Sequence, residues 1–354
     1  MSWIERLGLS VPLVQAPMAG VSTPALAAAV CNAGALGSIG VGATDAAGAR
    51  AMIAAVREST RSAFNVNLFV HTPPVADPVL EAAWLAWLAP SFAAFGAAPP
   101  QTLRSPYTSF ADDPAMLDML LHTRPPVVSF HFGLPAAPVV TALKQAGILL
   151  LATATSLDEA RMAQAAGMDA IVAQGIEAGG HRGVFDPRGP DDALGTLALV
   201  RLLVRQCACP VIAAGGIMDG AGIAAALDLG AIAAQLGTAF IPCPESAADA
   251  AYRQALAGPG AFHTRLTRLV SGRPARCLAN RFTALAEQAP PTPPDYPIAY
   301  DAGKALNAAA KARGEHGFGA QWAGQGAPLA RAMPAAELVA TLNREIHEAR
   351  TPAL

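Results

Sequence analysis

A chain of 354 residues with 53% hydrophobic and 14% charged residues can bury one large core plus a smaller element, which excludes a disordered protein. A formal net charge of −2, with no Lys/Arg-rich run and no aromatic RNP-like motif, gives no field for nucleic acid or an anionic membrane. Five cysteines without a C-x-x-C pair exclude a secreted disulfide framework and fit a reduced, cytoplasmic protein, while the seven scattered histidines show no metal-ligand spacing.

The chain opens on MSWIERLGL, where Glu5 and Arg6 precede any apolar core and the basic start of a signal peptide is missing. Eight β-type runs follow, ending in Gly, Pro or polar residues: 12–17, 36–42, 64–70, 126–133, 148–154, 169–175, 210–216 and 231–237. Alanine-rich segments of helical length separate them, among them 22–34, 45–60, 156–167 and 219–229. Continuous apolar strands alternating with helices require a parallel sheet covered on its outer face. Eight such units before about residue 245 predict a closed (β/α)8 TIM barrel rather than an open doubly wound sheet. The longest apolar stretch, 79–98, contains Glu81 and Pro90 and is read as a buried amphipathic helix, not a membrane span.

After the eighth strand the text changes to Gly, Pro and Arg, then a Pro-rich turn, a helix over about 298–313 and a Gly-rich loop. The expected organisation is a barrel over 1–258, a smaller, mainly helical cap over 259–332, and a segment 333–354 whose helix, 335–350, returns to the barrel.

Barrel enzymes place their chemistry at the carboxyl ends of the strands. GIEAGGHRG (175–183) lies just past the sixth strand: Gly179 and Gly180 let backbone amides approach a ligand, and His181 supplies a group that titrates near neutrality. The alternative for His181 is a loop histidine capping a turn. AAGGIMDG (213–220), with Gly215 and Gly216, and QLGTAF (235–240) follow strands seven and eight, where barrels commonly hold a phosphate. His131 shares a strand face with Ser129 and Gly133. It either lines a pocket or is a core histidine bonded to a neighbouring carbonyl. Tyr300 and Lys304 stand at i and i+4 on one face of the cap helix, with Tyr296 at its entry.

Across 11–240 the sequence resembles the flavin-dependent nitronate monooxygenases, formerly 2-nitropropane dioxygenases, of the bacterial class I branch. The matching pieces are VQAPMAGVSTPALAAAVCNAGALGSIG (14–40), FNVNLF (64–69), SFHFG (129–133), IVAQGIEAGGHRG (171–183), PVIAAGGIMDG (210–220) and AAQLGTAF (233–240). YDAGKAL (300–306) and QWAGQGAP (321–328) extend the likeness into the cap; Ala35 replaces a usual glycine. The resemblance implies non-covalent FMN. Ala16, Pro17 and Met18 would lie against the isoalloxazine, and Asn67 and Gln174 would bond the flavin or its ribityl chain. Gly179, Gly216 and the run Gln235, Leu236, Gly237 and Thr238 would receive the ribityl and phosphate groups. His181 matches the family's active-site histidine, and Tyr107, in RSPYTSF, joins the pocket by the same pattern. The implied reaction is oxidation of an alkyl nitronate by O2 to an aldehyde or ketone and nitrite.

A nitronate is already a carbanion equivalent, so the protein need mainly hold it, stabilise its charge and admit O2. His181 serves either as a donor to the nitro oxygens or as the base for a neutral nitroalkane. Lys304, with Tyr296 and Tyr300, offers a partner for the second charge of propionate 3-nitronate, unless it is a solvated lysine above packed tyrosines. Two other functions compete: an FMN-dependent enoyl-thioester reductase, which needs NAD(P)H although GVGATDAAG (40–48) lacks the nicotinamide fingerprint, and a non-catalytic flavin-binding barrel. A monomer or homodimer is expected.

Overall fold

The computed structural model describes residues 3–351, so the ends of the segments 1–258 and 333–354 lie partly outside the described residues. Eight parallel strands form the barrel: β1 (Leu13–Gln15), β2 (Gly37–Gly40), β3 (Phe64–Phe69), β4 (Val127–His131), β5 (Leu149–Ala154), β6 (Ala170–Gln174), β8 (Val211–Ala214) and β9 (Ala233–Leu236). Between β6 and β8 stands a two-residue strand outside the barrel, β7 (Gly180–His181). Hydrogen bonding runs around the ring in the order β1-β9-β8-β6-β5-β4-β3-β2. The ring closes between β1 and β2, where Val14 bridges Leu36 and the Gln15 and Leu36 amides donate to the carbonyls of Leu36 and Leu13, both at 2.9 Å. All eight runs read from the sequence are strands of this (β/α)8 barrel.

Strand alternation divides the side chains between two cores. One set, including Val66, Val128, Phe130, Leu150 and Ile171, packs outward beneath the helices. The other, including Val127, Leu149, Leu151, Ala170 and Val172, fills the interior. Along the interior face polarity rises toward the carboxyl end: Val127, Ser129, His131 on β4; Leu149, Leu151, Thr153 on β5; Ala170, Val172, Gln174 on β6. The amino end of the barrel is thus plugged by apolar packing, and the carboxyl end carries the polar groups.

The apolar stretch in the β3–β4 connection forms the helix Pro78–Ala93, capped by Asp77, whose carboxylate accepts from the Val79 and Leu80 amides. Its buried face is narrow, Trp84, Leu88 and Phe92 at i, i+4 and i+8. These pack with Val270, Phe282, Leu306 and Phe318 rather than on the barrel. Among the described residues no helix is long and apolar enough to cross a membrane.

Beyond the barrel, β10 (Thr264–Thr267) and β11 (Ala275–Leu278) make a hairpin that the Gly- and Arg-rich text did not advertise. β11 pairs antiparallel with β7, matching Ala275 to His181 and Arg276 to Gly180. The GIEAGGHRG loop is therefore partly a strand, because a partner from about a hundred residues downstream completes its ladder. The helix Ile298–Lys311 follows, and the helix Ala335–Arg350 lays Leu338, Val339, Leu342 and Ile346 against Leu26, Val30 and Ile223. Each such side chain contributes about 1.5–3 kcal/mol when fully buried, which fixes the last helix to the barrel wall.

Candidate active site

One cavity opens at the carboxyl end of the barrel, and all four tyrosines of the chain line it: Tyr107, Tyr252, Tyr296 and Tyr300. The strand ends contribute Ala16, Pro17, Met18, Asn67, His131, Gln174 and Gln235. The loops contribute Gly179, Gly180, His181, Gly215, Gly216, Gly237 and Thr238. Two expected residues stand outside the lining. Leu236 alternates away from its neighbours into the apolar cluster with Leu13 and Leu26. Lys304 is solvent-exposed behind the cavity, its ammonium 4.4 Å from the centre of the Tyr107 ring and 5.0 Å from that of Tyr300.

The polar residues of GIEAGGHRG separate into different jobs. Glu177 accepts hydrogen bonds from the Thr196 amide (2.9 Å) and hydroxyl (2.8 Å). It thereby satisfies the start of the helix Thr196–Gln206, whose N-cap residue, Gly195, has no side chain to do so. Arg182, 1% exposed, grips Asp191 through two bonds of 2.8 and 2.9 Å and donates to the carbonyls of Gln174 and Gly175. It is a strut between strand end and loop. Gly179 lets the loop around Gly324 approach: a Cβ there would stand 2.5 Å from the Gly324 amide nitrogen.

His181 keeps one ring nitrogen open. Its Nε2 lies 2.8 Å from the Ser271 hydroxyl, the one hydrogen bond of the ring among the described residues, which leaves Nδ1 open. Its carbonyl accepts from Gln174 Nε2 (3.0 Å) and His131 Nε2 (3.2 Å). A neutral His131 donating there accepts from the Thr153 hydroxyl at Nδ1, 3.0 Å away. His131 therefore both lines the cavity and bonds a carbonyl. Gln174 also accepts from the Gly183 amide (2.7 Å), so its amide is occupied with holding the loop. Asn67 donates to Ser129 Oγ (2.9 Å), and among the described residues its Oδ1 has no partner.

Aromatic rings enclose the imidazole, with centroids 4.9 Å away for Trp322, 5.2 Å for Tyr296 and 5.6 Å for Phe132. Burial, and then the neighbouring His131, Arg273 and His71, hold His181 well below the usual histidine range. Burial likewise brings His131 and His71 down to about 4. Burial pushes the Tyr300 phenol up to about 12 and the Tyr296 phenol well above its ordinary value. The site presents neutral imidazoles and neutral phenols.

Sequence reasoning missed Phe132, Tyr252, Ser271, Arg273 and Trp322. Phe132 takes φ 78°, a left-handed conformation rare outside glycine, and lays its ring against His131 and His181. The motif signals for Phe132 and Trp322 were present, in SFHFG and QWAGQG, but neither residue is titratable. Tyr252 carries no local signal; its hydroxyl donates to the Trp322 carbonyl.

Residues 3–345 match the family model described as nitronate monooxygenase. The chain belongs to the nitronate monooxygenase family. A nitronate monooxygenase of Paraburkholderia phytofirmans is 64% identical, the match covering 98% of this chain and 94% of that protein. One of Pseudomonas aeruginosa is 60% identical, over 96% and 97%. Among solved structures, nitroalkane oxidase from Streptomyces ansochromogenes superposes with a TM-score of 0.90 at 43% identity, covering 99% of each chain. The protein is accordingly an oxidoreductase of the nitronate-oxidising class.

Nitronate monooxygenases are in general flavin-dependent, and the cavity fits such a group. The main-chain N–H groups of Gly216 and Ile217 donate to no protein acceptor among the described residues, and Gly216 takes φ 71°. Those are groups an anionic tail would satisfy. The floor beside them is stripped of side chains: a Cβ on Gly237 would fill the space at 3.4 Å from Ala16 and 3.6 Å from Met18. Among the described residues no cluster could hold a metal ion.

Proposed function

We propose that this nitronate monooxygenase holds FMN without a covalent bond and uses O2 to oxidise alkyl nitronates, propionate 3-nitronate foremost, to an aldehyde or ketone and nitrite. The observation that carries the reading is His181: a neutral imidazole with one open nitrogen, facing the same cavity as the unpaired Gly216 and Ile217 amides. FMN would supply the electron acceptor and pass electrons to O2.

The main chain of Ala16, Pro17 and Met18 would support the ring system, with Asn67 Oδ1 as an acceptor. Gly179, Gly180, Gly215, Gly216 and the run Gln235 to Thr238 would take the ribityl and phosphate groups. On the opposite wall Tyr107, Tyr296, Tyr300 and Trp322 exclude water and shape the substrate space. A preformed nitronate needs no proton removed; a neutral nitroalkane does, and His181 Nδ1 is placed to take it. Lys304, the cation behind Tyr107 and Tyr300, balances the carboxylate of propionate 3-nitronate. The segment 259–332 acts as the cap, and the enzyme works in the cytoplasm as a monomer or homodimer.

The test mixes the purified protein, as isolated with its flavin, with propionate 3-nitronate under anaerobic conditions while the visible spectrum is recorded, then admits air and assays nitrite. Loss of the oxidised-flavin band, its return in air and nitrite release are expected. An unchanged spectrum with this compound and with short alkyl nitronates would overturn the proposal.

A further inference from the structure

Ser271, Gly272 and Arg273 form a buried turn between β10 and β11 that the proposed chemistry has not used. Ser271 is fully buried and Arg273 is 2% exposed. Both sides of the turn are clamped. Gly272 takes φ 87° and lies so close to the Pro294–Tyr296 segment that a Cβ would stand 2.3 Å from the Pro294 carbonyl oxygen. Arg273 donates to the Val184 carbonyl and lays its guanidinium 4.1 Å from the centre of the Phe132 ring. The Ser271 hydroxyl therefore has a fixed place, 2.8 Å from His181 Nε2 and 3.3 Å from the Arg273 carbonyl oxygen.

A hydroxyl has one proton to give. Given to the Arg273 carbonyl, it leaves the Ser271 oxygen to accept from a protonated Nε2 of His181, and the Arg273 carbonyl, the Ser271 hydroxyl and Nε2 are all satisfied. Given to Nε2 instead, it strips that buried carbonyl of its donor, and leaving a buried acceptor unmade is the costlier arrangement. The first arrangement also leaves the lone pair on Nδ1, the nitrogen with no hydrogen bond among the described residues, on a ring that lines the cavity. We propose that Ser271 is a positioning residue that fixes His181 in its Nε2–H tautomer, so that Nδ1 is the atom that meets the substrate. The proposal rests on the reading of His181 as the group that takes a proton from neutral nitroalkanes.

The tautomer is read directly, without turnover, by nitrogen NMR of the flavin-loaded enzyme labelled with 15N-histidine at neutral pH, with the His181 signals assigned by their loss in His181→Asn. The native enzyme is expected to show a protonated Nε2 and a bare Nδ1. Ser271→Ala is expected to mix or reverse the two forms and lower kcat on a neutral nitroalkane by about tenfold, with KM little changed, as loss of part of a general-base contribution. Ser271→Thr, which keeps the hydroxyl, is expected to restore both. A native ring protonated at Nδ1 would overturn the proposal, and so would a tautomer unmoved in Ser271→Ala. If that variant does not fold, the native spectrum alone decides. Full nitroalkane turnover by His181→Asn would instead remove the reading of His181 as the base, leaving the tautomer result standing.

Discussion

The two walls of the cavity are built from different materials. The barrel wall offers main chain and small side chains, Ala16, Gly179, Gly215, Gly216 and Gly237, in the segments that follow the strands. The opposite wall is side chain: Tyr107, Tyr252, Tyr296, Tyr300 and Trp322, delivered from connections and helices outside the strands. Main-chain donors at the mouths of rigid strands suit a group that stays bound, whereas bulky phenols and an indole shape the space for one that comes and goes. His181 belongs to both, carried by the barrel loop but paired through β7 with the outer hairpin.

Substitution at the barrel wall tests this division most severely. Gly179→Val drives a side chain into the Gly324 main chain, 2.5 Å from its would-be Cβ, and is expected to abolish flavin retention and activity together. Absorbance of the purified variant checks it. Tyr296→Phe on the opposite wall is expected to keep the flavin and alter only substrate kinetics; loss of flavin there would break the comparison.

At the junction, His181→Asn is expected to lower kcat/KM for a neutral nitroalkane by about 10²–10⁴-fold, the usual worth of a positioned base. Oxidation of a preformed nitronate should fall far less, as steady-state oxygen uptake on both substrate forms would show.

Acid stability probes the buried seam. His71 and His131 protonate near 6.5 when unfolded but near 4 when folded, so the unfolded chain binds more protons between those values. Stability is therefore complete above about pH 6.5 and falls as pH drops toward 4, by about 1.4 kcal/mol per pH unit for each ring. Denaturant titrations across that range should show the decline, and His71→Asn should make it shallower, leaving the His131 contribution. Lys304→Met is the mildest change: KM for propionate 3-nitronate is expected to rise about tenfold, with alkyl nitronates little affected, because a partly screened charge contributes on the order of 1 kcal/mol.

The barrel was legible because strands buried on both faces are mostly apolar, and runs such as Leu149–Ala154 and Val211–Ala214 carry that signature locally. The glycines of the barrel wall were legible for a similar reason, since close approach needs a missing side chain at a fixed place after a strand. The opposite wall was legible only where a titratable residue marked it. Trp322 and Phe132 act by shape, and Ser271 looks like any turn serine until β11 brings it beside His181. The helix Pro78–Ala93 shows the same limit: its apolarity predicts burial, but not that Trp84 and Leu88 would meet Phe282 and Leu306.

By itself the sequence determined the eight strands, their alternation with helices and the placing of glycines and a histidine at the carboxyl end, because each follows from patterning within a few residues. Only the tertiary structure decided which polar groups remain available. Glu177, His181 and Arg182 stand within six residues of one another, yet Thr196 engages the first and Asp191 the last, while Ser271 takes one nitrogen of the histidine. Reactivity belongs to the group whose hydrogen-bonding capacity is left open, and that remainder is known only when every partner is in place.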